Sequence, residues 1–296
     1  SFTRSPLWGH TRNPWDATRN AGGSSGGSGV AVATGCVALA EGSDMGGSVR
    51  IPAAFCGIVG LKPSLGRIPM DILFTTFDSI SHFGPLARTV EDARLFLEVC
   101  QGPHDADIQS QVAPSPLPRE LTGDMTGRRI ALSRDLGFME VAPDVIENLM
   151  ATARHLEARG AVVEEVALDW SVEVVTAWYA YWGVFLAAGF GDCLERFRDE
   201  MDPNVVALIE AGLKMDAVAF KRLEIVRTRQ WQALAPILAR CDALICPTMT
   251  RGAPVTESEE REHIDAQGRL QVALDPHVER AEHPVELVVV DGVVAE

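Results

Sequence analysis

Two glycine- and serine-rich stretches, AGGSSGGS (residues 21–28) and GSDMGGS (residues 42–48), flank one short apolar segment. Composition alone allows the first to be a slack linker between domains. Its continuation argues otherwise. The glycines run directly into GVAVATG, and residues 30–39 are small and apolar throughout, the pattern of a fully buried helix leading into a short strand. A glycine loop fixed against a core lets the backbone come close to something chemical, because no Cβ stands in the way. A phosphate loop is the next reading to weigh. There is no Gly-Lys-Ser/Thr, and no GxGxxG in a strand–helix setting, so that signal is weak.

The serines suggest a third reading. A nucleophilic serine needs a base to take its proton and N–H groups aimed at the developing oxyanion. Glycines ahead of the serine let consecutive N–H groups turn toward one point, and the loop before Ser48 is built that way.

Elsewhere the pattern is an alternation of helix and strand. Residues 87–102 read as an amphipathic helix with Thr89 as N-cap, a stripe of Val90, Ala93, Leu97 and Cys100, and Gly102 as the stop. Residues 104–127 are rich in Pro and Gly and read as a connecting loop. A strand over 129–133 leads to a helix opening at Pro143, with Ile146, Leu149, Ala153 and Leu156 on one face, and AVVEEVAL returns as a strand. Residues 170–240 read as a long helical region whose Trp178, Tyr179, Tyr181 and Trp182 belong to core or pocket wall. DALICPT (242–248) reads as a short buried strand, and the acidic stretch from 249 as loop. The rhythm implies an α/β sheet flanked by helices.

Charge and cysteine usage narrow the function classes. Residues 1–100 hold eight basic and eight acidic side chains, so the net charge of −15 belongs to residues 101–296, where 18 basic face 33 acidic. Such a surface repels nucleic acid and anionic lipid. No run of about 18 apolar residues stands out as a membrane span. Cys36, Cys56, Cys100, Cys193, Cys241 and Cys246 are scattered, with no CxxC and no partnering histidines. The expectation is no metal site, reduced cysteines and a cytoplasmic location.

The segment GGSSGGS…GSDMGGSVRIPAAFCGIVGLKPSLGRIP, with WGHTRNPWDATRNAGGSSGG before it and GPLARTVEDA after it, resembles the amidase signature family of Ser–cis-Ser–Lys amidohydrolases. The resemblance runs almost continuously from residue 8 to 102, and DALICPT resembles a later family strand. It implies the family's α/β fold, a mixed central sheet surrounded by helices, incomplete in this chain. Residues 1–296 are then one partial domain: a signature core (1–102), a substrate-side region (103–248) and an acidic loop-rich segment (249–296). Position by position, the resemblance makes Ser48 the acyl-forming nucleophile and Ser24 the relay serine on a cis peptide bond, with Ser25 beside it. It places the oxyanion hole at the N–H groups of Met45, Gly46, Gly47 and Ser48, with Asp44 and Arg50 bracing the loop. Met45 stands where the family usually has threonine.

The family's base is a lysine well before the glycine–serine motif. The lysines here are Lys62, Lys214 and Lys221, and none precedes Ser24. Lys62 matches a structural family position, and of the seven histidines His82 lies nearest the signature. The chain is therefore expected to be a fragment of an amidase, one part of a split enzyme, or a degenerate homologue, and to be inactive alone. The expected partner is a small-molecule amide, with no cofactor, no nucleic acid and no membrane; a homodimer is left open. Two alternatives to the hydrolase stand beside it: a non-catalytic homologue, and an amidotransferase A-type subunit that releases ammonia for transamidation.

Overall fold

The signature region folds around a three-stranded antiparallel sheet. The computed structural model describes residues 2–256, 262–264 and 270–272. A small hairpin, β1 (Arg4–Ser5) and β2 (Gly9–His10), precedes α1 (Gly26–Ala33), β3 (Leu39–Asp44), α2 (Arg50–Cys56), β4 (Val59–Gly60) and β5 (His82–Ala87). β5 is central, pairing with β3 from Leu39↔Ala87 to Asp44↔His82 and with β4 on its other side. The core between sheet and helices is Ala21, Val32, Val49, Ala53, Cys56, Ile58 and Leu86. Small side chains let α1 and α2 approach closely: a Cβ on Gly29 would lie 3.1 Å from the Pro52 side chain.

The helix α1 starts inside the glycines, four residues earlier than the apolar pattern predicts. It ends at Ala33, and Cys36 and Val37 are exposed, so residues 30–39 are not the fully buried segment expected. The next helix, α3 (Val90–Cys100), follows its sequence pattern more closely. Thr89 caps it, its Oγ1 accepting the Asp92 N–H at 3.1 Å. Ala93 and Leu97 are buried, while Val90, in the first turn, is 55% exposed.

The second half is a parallel unit. β6 (Arg129–Leu132) lies between β7 (Val162–Glu165) and β8 (Ala243–Ile245), and α4 (Pro143–Ala158) crosses over from β6 to β7. Leu149 and Ala153 of α4 bury against Ile130, Leu132 and Ile245. The expected mixed sheet is thus realised as two three-stranded sheets, one antiparallel and one parallel. Between β7 and β8 run α5 (Glu173–Phe190), α6 (Leu194–Phe197), α7 (Pro203–Leu213) and α8 (Ala217–Leu238).

By length and composition, α5 and the turns that follow it are long and apolar enough to cross a membrane, a feature the sequence pattern did not reveal. Here α5 is tied into the fold. Phe185 packs on Phe74 with the rings tilted at 41°, Tyr181 meets Phe220 of α8 edge-on, and a Cβ on Gly183 would lie 2.9 Å from the Leu208 carbonyl of α7.

Residues beyond 249 are not all loop. The segment at 253–256 runs along residues 18–20: the Asn20 N–H donates to the Pro254 carbonyl at 3.0 Å and the Thr256 N–H to that of Thr18 at 2.8 Å. Further on, β9 (Glu262–Ile264) pairs antiparallel with β10 (Leu270–Val272). The rest of the segment expected to be loop lies outside the described residues.

Candidate active site

The loop between β3 and α2 is organised by one carboxylate. Asp44 ends β3 with its side chain fully buried. Its Oδ1 accepts the Gly47 N–H at 2.6 Å and an Arg50 Nη2 hydrogen at 2.8 Å; Oδ2 accepts the Val49 N–H at 3.2 Å and Arg50 Nε at 2.9 Å. Burial alone would push this carboxyl up. The Arg50 guanidinium and the N–H groups of Gly47 and Val49 more than reverse it and hold Asp44 below its ordinary value. Burial likewise opposes the charge on Arg50, and Asp44 outweighs it, keeping the guanidinium more firmly protonated. The Asp44–Arg50 pair ties the residues between them into a compact turn. Gly47 has φ 117°, and a Cβ there would lie 2.6 Å from Ile51 Cδ1, so the turn requires glycine.

This geometry divides the four expected oxyanion donors. The Gly47 N–H donates to Asp44 Oδ1. Among the described residues, the N–H groups of Met45, Gly46 and Ser48 donate to no protein acceptor. Ser48 itself is half-buried at the turn into α2.

The other glycine–serine loop lies directly alongside. The Gly23–Ser24 peptide is cis. The Ser25 N–H donates to the Ser48 carbonyl at 3.3 Å, and Ser25 Oγ accepts the Ser43 N–H at 3.2 Å. The two serine loops are thus joined through Ser25, and Ser24 is exposed at their edge. Thr3 and Asn20 hold this loop from below. Thr3 Oγ1 donates toward the Gly22 and Ser24 carbonyls, each at 3.0 Å, and accepts the Gly26 N–H at 3.0 Å. Asn20 Oδ1 accepts the Gly22 N–H at 2.6 Å. The sequence did not mark Thr3, because bracing from 19 positions before Gly22 leaves no local spacing to read.

A third element reaches the site from 133 residues away in sequence. Trp178 of α5 donates from Nε1 to the Met45 carbonyl at 2.9 Å. Trp182 stacks on it with ring centroids 5.1 Å apart, and Tyr179 meets it edge-on at 4.7 Å. The aromatic run noted in the sequence therefore touches the β3–α2 loop at Trp178 and packs against α8 at Tyr181.

Lys62 Nζ donates to the Pro63 carbonyl at 3.0 Å, Lys214 follows the end of α7, and Lys221 pairs with Glu224 at 2.8 Å. His82, the first residue of β5, is paired with Asp44 of β3. Burial, then the nearby Lys62 charge, hold its imidazole below its ordinary value, and Nδ1 lies 2.9 Å from the Ile80 carbonyl. No cluster of metal-ligating side chains occurs among the described residues, and all six cysteines are free thiols.

The two serine loops are thus joined at the Ser25 N–H to Ser48 carbonyl bond, and the comparisons name the family. Residues 1–278 match the Amidase family. This chain belongs to it. An acylamidase of Rhodococcus erythropolis is 36% identical over 250 residues, covering 83% of this chain and 52% of the relative. The A-type subunit of the glutamyl-tRNA(Gln) amidotransferase of Geobacillus thermodenitrificans (strain NG80-2) is 45% identical over 170 residues, 57% of this chain and 35% of the relative. Among solved structures, a bacterial aryl acylamidase of the amidase signature enzymes superposes with a TM-score of 0.81 at 28% identity, over 86% of this chain and 54% of that one. The chain thus spans about half the length of the acylamidase relatives it matches.

Proposed function

We propose that this chain carries the nucleophile half of an amidase that cleaves a small carboxamide through a serine acyl-enzyme. The observation that carries the reading is the junction of the two loops: Ser25 N–H on the Ser48 carbonyl, beside the three uncommitted N–H groups of Met45, Gly46 and Ser48. In this reading Ser48 Oγ bonds to the carbonyl carbon and its proton passes to Ser24 Oγ, which hands its own proton to a base. The negative carbonyl oxygen is held by the three N–H groups. The C–N bond then breaks, the amine leaving with the relayed proton, and water cleaves the ester by the reverse path.

The base is none of Lys62, Lys214 or Lys221 in this reading, and is supplied from outside residues 1–296. Trp178, Tyr179 and Trp182 beside the oxyanion loop favour an aromatic or apolar group on the amide, and the acylamidase relatives point the same way. The amidotransferase reading draws on a comparably strong sequence likeness, but 33 acidic against 18 basic residues beyond residue 100 oppose tRNA binding.

Peptide-mapped labelling with an aryl fluorophosphonate tests the nucleophile. Main-chain donors aimed at the developing phosphonyl oxygen favour attack by the serine beside them over attack by an exposed serine. Phosphonylation is accordingly expected at Ser48 ahead of every other serine, and to vanish in Ser48→Ala. Labelling spread over exposed serines, or unchanged in that variant, overturns the reading.

A further inference from the structure

We infer that Trp178 is a positioning residue for the oxyanion hole: its indole N–H fixes the Met45–Gly46 peptide so that the Gly46 N–H faces the reacting carbonyl. This rests on the reading of Ser48 as nucleophile. The argument begins with the planarity of the peptide bond. Among the described residues only Gly23–Ser24 is cis, so the Met45–Gly46 unit is trans and its C=O and N–H point in opposite directions. Trp178 Nε1 holds the C=O at 2.9 Å. The N–H on the other end must then point away from the indole, and among the described residues it meets no protein acceptor.

The contact is close as well as directional. A Cβ on Gly46 would lie 2.3 Å from the indole Cε2 and Cζ2 atoms, so the ring fills the space where a side chain would stand. Only glycine admits it. Without that hydrogen bond, Gly46 has the freedom to rotate the peptide and turn its carbonyl, instead of its N–H, toward the substrate. An oxyanion hole gains from donors already aimed before charge develops. The neighbouring Asp44–Arg50 brace secures Gly47 and Val49 but makes no hydrogen bond to the 45–46 peptide.

The indole is itself held from several sides. It stacks on Trp182, and α5 is anchored by Phe74 against Phe185 and by Phe220 and Arg227 against Tyr181. The donor for this peptide therefore comes from the helical region between β7 and β8, not from the glycine–serine signature.

Trp178→Phe keeps a ring and removes the donor. An aryl boronic acid is the probe: boron bonds to Ser48 Oγ, the hydroxyl proton goes to water, and a boronate oxygen occupies the oxyanion position. Its dissociation constant is expected to rise about 10- to 100-fold in Trp178→Phe. The dissociation constant of the matching aryl carboxamide, which develops no oxyanion, is expected to change by less than about twofold. A loss confined to packing would move both constants or neither, and unchanged boronate affinity overturns the inference. Ser48→Ala separates the two claims: if it binds the boronic acid as well as the wild type does, the nucleophile reading has failed. The positioning claim is then judged by a crystal structure of Trp178→Phe. A Met45 carbonyl still in its original direction refutes it, and a rotated or mixed peptide supports it.

Discussion

At Asp44 a single side chain decides the shape of the catalytic loop. It accepts from Gly47, Val49 and Arg50 while fully shielded from water, so its removal would leave Arg50 half-buried and unpaired. Asp44→Asn is expected to cost about 3 kcal/mol in urea unfolding, the scale for breaking a buried pair from one side. The pH dependence has a definite sign. The folded carboxyl lies below its unfolded value of 3.8, so its contribution is complete above that pH and is lost as pH falls through the depressed folded value. The stability gap between wild type and Asp44→Asn should accordingly be constant near neutrality and close in acid. A gap that widens on acidification would contradict the assignment. Much of this was legible in the sequence, since Asp44, Gly46, Gly47, Ser48 and Arg50 fall within seven residues. The commitment of the Gly47 N–H to Asp44 was not, because which donor a carboxylate takes depends on the turn's three-dimensional path.

At the scale of elements, local pattern and tertiary packing part company in an instructive way. The apolar spacing of α3 suggested four core positions; the fold buries Ala93 and Leu97 and leaves Val90 55% exposed. Leu97→Ala should therefore cost about 3 kcal/mol by leaving a cavity, whereas Val90→Ala should change stability by no more than about 0.5 kcal/mol. Thermal and urea melts of the two variants check this, and equal losses would mean that the first turn is core after all. Periodicity locates a helix and its cap well, as Thr89 and Pro143 show, because both signals are local. It cannot say how far the partner sheet extends beneath that helix. Helix α5 makes the same point more strongly. Its aromatic residues were visible as a cluster, yet which of them would touch the signature loop depended on α7 and α8 holding the helix over it.

For the molecule as a whole, the two glycine–serine loops and the parallel unit meet through long-range ties: Trp178 to Met45, and residues 253–256 to residues 18–20. The candidate site thus draws on segments 133 residues apart. The proposed dependence on an outside base makes one whole-chain prediction. Residues 1–296 incubated alone with an aryl carboxamide should release amine no faster than their Ser48→Ala variant. Turnover that is measurable and lost in that variant would place the base within these residues and overturn that part of the proposal.

The central claim is that the Ser48 hydroxyl stands beside the main-chain donors of its own loop, at Met45, Gly46 and Ser48, where the Ser24–Ser25 loop joins it. A crystal structure of the aryl boronate adduct tests it most directly. The account predicts boron bonded to Ser48 Oγ, with one boronate oxygen about 2.7–3.1 Å from N–H groups of Met45, Gly46 and Ser48. Boron on Ser24, or an oxygen directed away from those donors, would contradict it.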